Sequence, residues 1–414
     1  MLRAVHGRYQ DRVFPSPEQS SRPGRNVAAA DACPGILDLH EARDGLVARI
    51  RLPGGYASRA RLLSLAALAG RFGDGRVDLT ARGNAQIRGI QPDAATDMAR
   101  RATAAGLMPS PAHDRARNIT ASPLAGLAGH PDLRGLVRAL DRAILADPGL
   151  AALPGRFLFS LDDGTGHAGI GGCDVGLRLG SGAAELVVAG RFTGLRGTAA
   201  AGIRHAAAAA RAFLDQRRAE PARPDSGDAG ARVSSVRVTG LANGGAGVAA
   251  AVGGELGAAV SDTTDRLALG AVPDAEMLAV VAAPLARLTT AQVRLVARML
   301  RPGEVARLAA AGRIVLPLAD PAGAALRRLD DAGLVVSDGH ELAPVTACAG
   351  MACGRSLADV RVLAGRVPGL GAVHWAGCGR RCGLPADATA VVATSDGRLV
   401  FGDGAELSAR ARPA

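Results

Sequence analysis

Four cysteines near the C-terminal end carry the clearest chemical signal: Cys348-Ala-Gly-Met-Ala-Cys353, followed by Cys378-Gly-Arg-Arg-Cys382. Thiolates are soft ligands, and two close pairs of them can hold either a zinc ion or an iron–sulfur cube. Structural zinc ribbons favour two-residue gaps. The gaps of four and three residues here favour a [4Fe-4S] cluster, with zinc as the alternative. Arg380 and Arg381, inside the second pair, would offset the charge of an anionic cluster and tune its potential. Cys33 and Cys173 stand alone and read as small buried hydrophobes rather than ligands.

A second signal is polar. Leu79-Thr-Ala-Arg-Gly-Asn-Ala-Gln-Ile-Arg-Gly-Ile90 reads as one strand. With period two, Arg82, Asn84, Gln86 and Arg88 share one face, and Gly83, Ala85 and Ile87 the other. Such a face is either solvated or the lining of a polyanion pocket, and spacing alone leaves both open. Arg117-Asn118-Ile-Thr and Leu153-Pro-Gly-Arg156-Phe157 each place a further arginine at a strand or loop edge. The eight histidines show no metal spacing, and no metal site is assigned to them. The chain has neither a Walker A loop nor a convincing strand–GxGxxG–helix unit, so reducing electrons are expected from a partner protein.

These residues sit in a chain of 414, long enough for two or three domains. Hydrophobic residues at 48% and charged ones at 21% give an ordinary globular composition. No apolar run is long enough to span a membrane, and Met1 to Asn26 lacks the apolar core of a secretory signal, so a reducing cytoplasm is the expected compartment. The net charge of +11 is carried entirely by arginine, with no lysine, which fits a coding bias that also yields 55 glycines. Aromatics at 2% leave no stacking platforms, which argues against nucleic acid. Guanidinium groups grip carboxylates bidentately, so the expected partner is an anionic small molecule.

The elements that must position these groups follow from periodicity. Leu46 to Leu52 alternates as a half-buried strand, and Pro53-Gly54-Gly55 turns the chain. Ser58 caps a helix with Leu62, Leu65, Ala66 and Ala69 on one face, closed by Gly70. The strand Gly75–Ile90 follows, then an Asp93-capped helix ending at Gly106, giving a β-α-β-α unit of ferredoxin-like character. Beyond it lie a helix near Pro131, strands at Phe157–Leu161, Asp174–Leu179 and Glu185–Ala189, and an Ala-rich helix from Ala199 to Arg217. The segment Arg217 to Gly230 has the proline, glycine and charge content of a linker.

The second half repeats the first. Gly75-Arg-Val-Asp-Leu79 recurs as Gly312-Arg-Ile-Val-Leu316, and Asn118-Ile-Thr-Ala121 as Pro344-Val-Thr-Ala347, at spacings that differ by a loop insertion. The expected fold is α+β, with two pseudo-symmetric halves made of ferredoxin-like half-domains and α/β domains around a central cavity. The expected organisation begins with a flexible extension at 1–30, a first ferredoxin-like half-domain at 31–110 and a first α/β domain at 111–218. A linker at 219–231, a second half-domain at 232–338 and a second α/β domain with the cluster at 339–414 complete it.

Together, Leu79-Thr-Ala-Arg82, Gln86 to Ile90, Arg117-Asn118, Leu153-Pro154, Arg156-Phe157 and the two cysteine pairs resemble the nitrite/sulfite reductase superfamily. Within it, Ala32-Cys-Pro-Gly-Ile-Leu-Asp38 and Asp44 to Gly55 are similar to the start of the precorrin-3B synthases of aerobic cobalamin biosynthesis. The resemblance implies sulfite-reductase-like α/β domains and O2-dependent hydroxylation of precorrin-3A with γ-lactone formation. It implies Arg82, Asn84, Gln86, Arg117, Asn118 and Arg156 as substrate-binding residues, the three arginines pairing with tetrapyrrole carboxylates. It further implies electrons from a separate NADH-dependent donor and suggests a mononuclear non-haem iron, for which no facial triad is readable. No sirohaem is expected. Sirohaem-dependent reductases, the alternative, carry two lysines one residue apart after the Leu-Pro motif, and here those positions are Arg156 and Leu158.

Overall fold

The computed structural model describes residues 33–180, 182–221, 223–224, 232–263, 266–367, 370–385 and 387–407. The expected extension at 1–30 and residues 225–231 of the expected linker lie outside the described residues.

In chain order, β1 (His40–Ala42), β2 (Gly45–Ile50) and β3 (Tyr56–Ser58) precede α1 (Arg59–Phe72). β4 (Arg76–Leu79), β5 (Ala85–Ile90) and α2 (Ala95–Ala104) complete this unit. β6 (Ile119–Ala121), α3 (Arg134–Ala146), β7 (Phe159–Asp162), β8 (Val175–Gly180), β9 (Ala183–Val188), β10 (Arg191–Gly197) and α4 (Ala199–Ala219) follow. The short strands β11 (Arg223–Pro224) and β12 (Arg232–Val233) pair with each other, and α5 (Ala246–Ala251) comes next. The later unit contains β13 (Gly270–Ala271), β14 (Leu278–Ala282), β15 (Arg287–Thr289), α6 (Thr290–Met299), β16 (Val305–Leu308), β17 (Arg313–Pro317) and α7 (Ala322–Asp331). Last come β18 (Val345–Ala347), α8 (Val360–Ala364), β19 (Val373–Ala376), β20 (Thr389–Ala393) and β21 (Leu399–Phe401).

Two five-stranded sheets of matching design form the middle of the molecule, in the orders β1-β2-β5-β4-β15 and β13-β14-β17-β16-β3. Each takes its last strand from the other half: β3 pairs with β16, and β15 with β4, both antiparallel. The helices that follow those exchanged strands, α1 and α6, pack on each other. Their apolar faces (Leu62, Leu65, Val293, Val296) share one core with Ile87 and Ile314 from the two sheets. Burying each half's helix against the other removes apolar surface that neither sheet could cover alone. The crossing point is tight. Gly55 (φ +72°) and Gly83 (φ +66°) both lie against the Leu308 carbonyl, which a Cβ would approach to 2.2 and 2.6 Å. Only glycine meets both the left-handed φ and the close approach.

This symmetry corrects the register of the repeat. By sheet order the counterpart of β17 is β5, not β4, so the string Gly312–Leu316 corresponds to the segment after Gly83 rather than to Gly75–Leu79. The β6 and β18 correspondence stands, each strand bearing an Ile/Val-Thr-Ala sequence. Local details also differ. The expected strand 75–90 is a hairpin, because Thr80 to Gly83 turn the chain: the Thr80 Oγ1 accepts from Asn84 N at 3.0 Å. Helix α1 runs past Gly70 to Phe72, its Ser58 cap accepting from Arg61 N. Asp93 lies in a 3₁₀ turn, and α2 starts after Ala94 without a side-chain cap. β10 is an additional strand, and α4 extends through the first residues of the expected linker.

The other two sheets flank this pair. One, β10-β9-β8-β7-β6, is parallel across β6, β7 and β8, and α3 and α4 bury Leu140, Ile144 and Phe213 on it. The other, β18-β19-β20-β21, is parallel across β18, β19 and β20, with fully buried Trp375 at its core. Among the described residues no helix is long and apolar enough to cross a membrane.

Candidate active site: a four-thiol pocket and an arginine face

Parallel pairing creates the thiol pocket. Ala347 registers with Trp375, and Cys348 N donates to the Trp375 carbonyl at 2.9 Å, so both chains leave their strands at the same sheet edge. Cys348 follows β18 directly, and Cys378 follows β19 after Gly377. A 3₁₀ turn at Gly350–Ala352 carries the chain to Cys353, and a tight turn with Arg381 at φ +49° carries it to Cys382. The four thiols, with Ser356 and Gly377, line one pocket that is partly open to solvent.

The electrostatics register their convergence. Burial pushes the Cys348 thiol up, and the Cys353 and Cys378 thiolates add to the shift, while N–H groups of Gly350 (3.4 Å) and Gly377 (3.2 Å) donate to its sulfur and oppose it. Burial also raises Cys382, helped by the other three thiolates and opposed by Arg380. No carboxylate or imidazole is among the lining residues. A set of four thiols with N–H donors on one sulfur is the donor chemistry of an iron–sulfur cluster, whose charge such donors stabilise. Among the described residues no group of three or more His, Cys, Asp or Glu side chains is placed to hold a metal ion.

The first ferredoxin-like sheet abuts this pocket. Arg43 N and Arg88 Nη2 both donate to the Ala352 carbonyl in the cysteine loop, at 3.1 and 3.0 Å. His40 on β1 has its pKa lowered by burial and then by the charges of Arg88, Arg380, Arg49 and Arg355. Further along the same face, Arg49 donates to Gln86 Oε1 (2.8 Å) and to Cys33 Sγ (2.6 Å). Buried Arg51 donates to Cys33 Sγ (3.2 Å) and the Gly155 carbonyl (2.9 Å). Arg82 closes the row, its Nη1 on the Arg156 carbonyl at 3.0 Å. Burial, followed by Arg237, lowers its pKa to about 10, so it stays cationic at neutral pH. A guanidinium-rich surface thus runs from the Arg82 turn to the thiol pocket.

The six substrate-binding candidates divide. Arg82, in the β4–β5 turn rather than on a strand face, and exposed Arg156 are neighbours at the open end of this surface. Gln86 lies on the face itself, held by Arg49. Asn84 and Asn118 are buried and bonded to each other (2.9 Å), to Leu52 N and to the Phe157 carbonyl, which stitches the first sheet to the third. Arg117 points away, in a buried two-bond pair with Asp141 at 2.7 and 2.9 Å. Arg88 is similarly paired with Asp44. Sequence reading missed Arg49, Arg51 and Arg237. The first two were accessible by the same period-two rule, because Arg49 on β2 and Arg51 just past its end flank Ile50. Arg237 donates to the Gly172 carbonyl and pairs with fully buried Asp174, a contact between distant segments with no local signal. Cys33 is buried as expected but among guanidiniums rather than apolar groups. Cys173 is buried beside Leu158 and Ile170, and burial pushes its thiol far up.

Residues 40–105 match the family model described as the nitrite/sulfite reductase ferredoxin-like half domain. A precorrin-3B synthase from a Sinorhizobium species is 35% identical over 69 residues, a stretch spanning 17% of this chain and 15% of that protein. Among solved structures, the Mycobacterium tuberculosis NirA protein is similar with a TM-score of 0.70 at 18% identity, over 98% of this chain and 85% of that one. The fold is therefore α+β, of the sulfite-reductase-like kind with two ferredoxin-like half-domains.

Proposed function

We propose that this chain is an oxygen-dependent monooxygenase of the precorrin-3B synthase kind. It takes the anionic tetrapyrrole precorrin-3A and inserts one atom of O2, with γ-lactone formation. The other atom leaves as water, which consumes two electrons and two protons from a separate NADH-dependent donor. The observation that carries this reading is the row of arginines on the first sheet, from Arg82 through Arg49 to Arg88 at the cysteine loop, since a polycarboxylate needs several fixed cations along its rim. The local identity to a precorrin-3B synthase points the same way.

In this reading Arg82 and Arg156 bind peripheral carboxylates at the open end, and Arg49 with Gln86 offers donors along the face. Asn84 and Asn118 hold the two sheets in register, and the Arg117–Asp141 pair anchors β6 rather than touching substrate. Cys348, Cys353, Cys378 and Cys382 would hold a [4Fe-4S] cluster, which supplies one-electron transfer when bound. No residues among those described fit a mononuclear iron, and no step is assigned to one.

A second reading, a sirohaem-dependent sulfite or nitrite reductase, draws support from the fold match over nearly the whole chain. Leu158 weighs against it. This side chain is 6% exposed in an apolar cluster with Ile170, Val187 and Val260, where it can neither bind an anion nor deliver a proton. Iron and acid-labile sulfide analysis of anaerobically purified protein, with acid-acetone extraction, separates the two. The proposal expects a [4Fe-4S] complement and no sirohaem; extractable sirohaem with sulfide production from sulfite would replace it with the second reading.

A further inference from the structure

Bonded to the backbone at the start of the first cysteine loop lies a cation that the proposed chemistry does not use. Arg361, on α8, extends its guanidinium under the first cysteine loop. Nη1 donates to the carbonyls of Cys348 (2.9 Å) and Ala347 (3.4 Å), and Nη2 to the carbonyl of Leu285 (2.9 Å). It forms no ion pair among the described residues, although Asp78 lies near enough to be felt; Asp78 is bound instead by Arg287. Its stem packs against Gly350, where a Cβ would come within 3.2 Å of Arg361 Cγ. Burial lowers its pKa to about 10, and the nearby Arg287 adds to that, but the group stays charged at neutral pH.

A half-buried cation bonded only to neutral carbonyls is costly unless an anion compensates it. Two anions favour its charge, the Asp78 carboxylate first and the Cys348 thiolate second; Asp78 is already bound by Arg287, which leaves the thiolate set. From this arrangement we infer that Arg361 is the internal counter-charge of the four-thiolate centre and a positioning residue that sets its reduction potential. The inference rests on the cluster reading above. Adding an electron to a cluster increases its negative charge, so a fixed cation beside one ligand favours the reduced form. Arg380 and Arg381 lie on the exposed side, where water screens them; Arg361 acts from the protein side, where screening is weak.

The test is a spectroscopic redox titration of the cluster-loaded chain, wild type beside Arg361→Gln and Arg361→Lys. Gln removes the charge, whereas Lys retains it without the planar fork. Arg361→Gln should lower the midpoint by an amount equal to a tenfold or greater drop in the reduced-to-oxidised ratio at fixed potential, about 59 mV for one electron. Arg361→Lys should recover most of it. If Gln fails to retain a cluster while Lys does, the charge role is also supported. A wild-type midpoint in Arg361→Gln overturns the inference while leaving the cluster reading intact, and so does equal loss of the cluster in both variants with the fold preserved. Absence of any cluster from the wild type overturns the reading on which it rests.

Discussion

Arg82 and Arg117 look equivalent as a sequence, yet the structure gives them different surroundings, and alanine at each should separate them. Arg82 uses one Nη1 donor on the Arg156 carbonyl, which leaves most of its five-donor fork for a ligand. Removing it should cost one charge-assisted bond to a carboxylate, about 1.5–3 kcal/mol, or roughly 10- to 150-fold in affinity. The fold should be little affected, because Arg82 sits in a turn and holds no carboxylate partner. Arg117 is 3% exposed and fully engaged with Asp141. Arg117→Ala would strand the partly buried Asp141 carboxylate and destabilise the chain by about 3 kcal/mol, the lower end of the range for broken buried pairs. A polycarboxylate porphyrin such as uroporphyrin serves as the probe, titrated by fluorescence quenching at low and high salt alongside thermal unfolding. Arg82→Ala should lose affinity and salt dependence at nearly wild-type Tm, while Arg117→Ala should lower Tm and bind normally while folded. Unchanged affinity in Arg82→Ala, or an affinity loss in Arg117→Ala without a drop in Tm, would refute the assignment.

Serine at Cys348, Cys353, Cys378 or Cys382 should abolish the brown chromophore and bound iron, whereas serine at Cys33 or Cys173 should leave the iron content intact; metal and sulfide analysis decides. Gly377→Ala should also deplete the cluster, because its Cβ would fall 1.8 Å from Ser356 Oγ and shift the N–H that donates to Cys348. Adding Ser356→Gly should restore part of the iron content. His374, 1% exposed and bonded to Thr346 Oγ1 at 2.9 Å, has its pKa lowered from 6.5 to about 4 by burial. The unfolded chain therefore takes up a proton between those values that the folded chain refuses. Stability should be unaffected by this group above pH 6.5, and should fall by roughly 3 kcal/mol in total as pH drops through about 4. Urea unfolding across that range should show a shallower acid limb in His374→Gln.

The parts legible in the sequence were those written in local pattern. Cysteine spacing located all four pocket thiols, because each pair starts where a strand of the same parallel sheet ends. The strand–turn–helix course of the first unit followed from alternation and from the Ser58 cap. The hairpin inside residues 75–90 was hidden, because alternation continues formally through the Thr80–Gly83 turn; Gly83 was its only mark. The exchange of β3 and β15 between sheets was also unreadable, since a three-residue strand carries no signal of its partner. Period two put Arg82 in one row with Gln86 and Arg88, but only the latter two lie on β5, and the pattern did not show that Asp44 would claim Arg88. Such pairings depend on tertiary neighbours, and that is where sequence pattern ends.

The central claim is that an anionic tetrapyrrole on the arginine face is oxidised by molecular oxygen. Its most direct test is turnover of precorrin-3A by cluster-loaded protein with reductant under isotopically labelled dioxygen, followed by mass spectrometry of the product. One labelled oxygen atom should appear in the macrocycle, with no reaction in the absence of oxygen. Product formation that continues anaerobically, or product oxygen that carries no label, would contradict it.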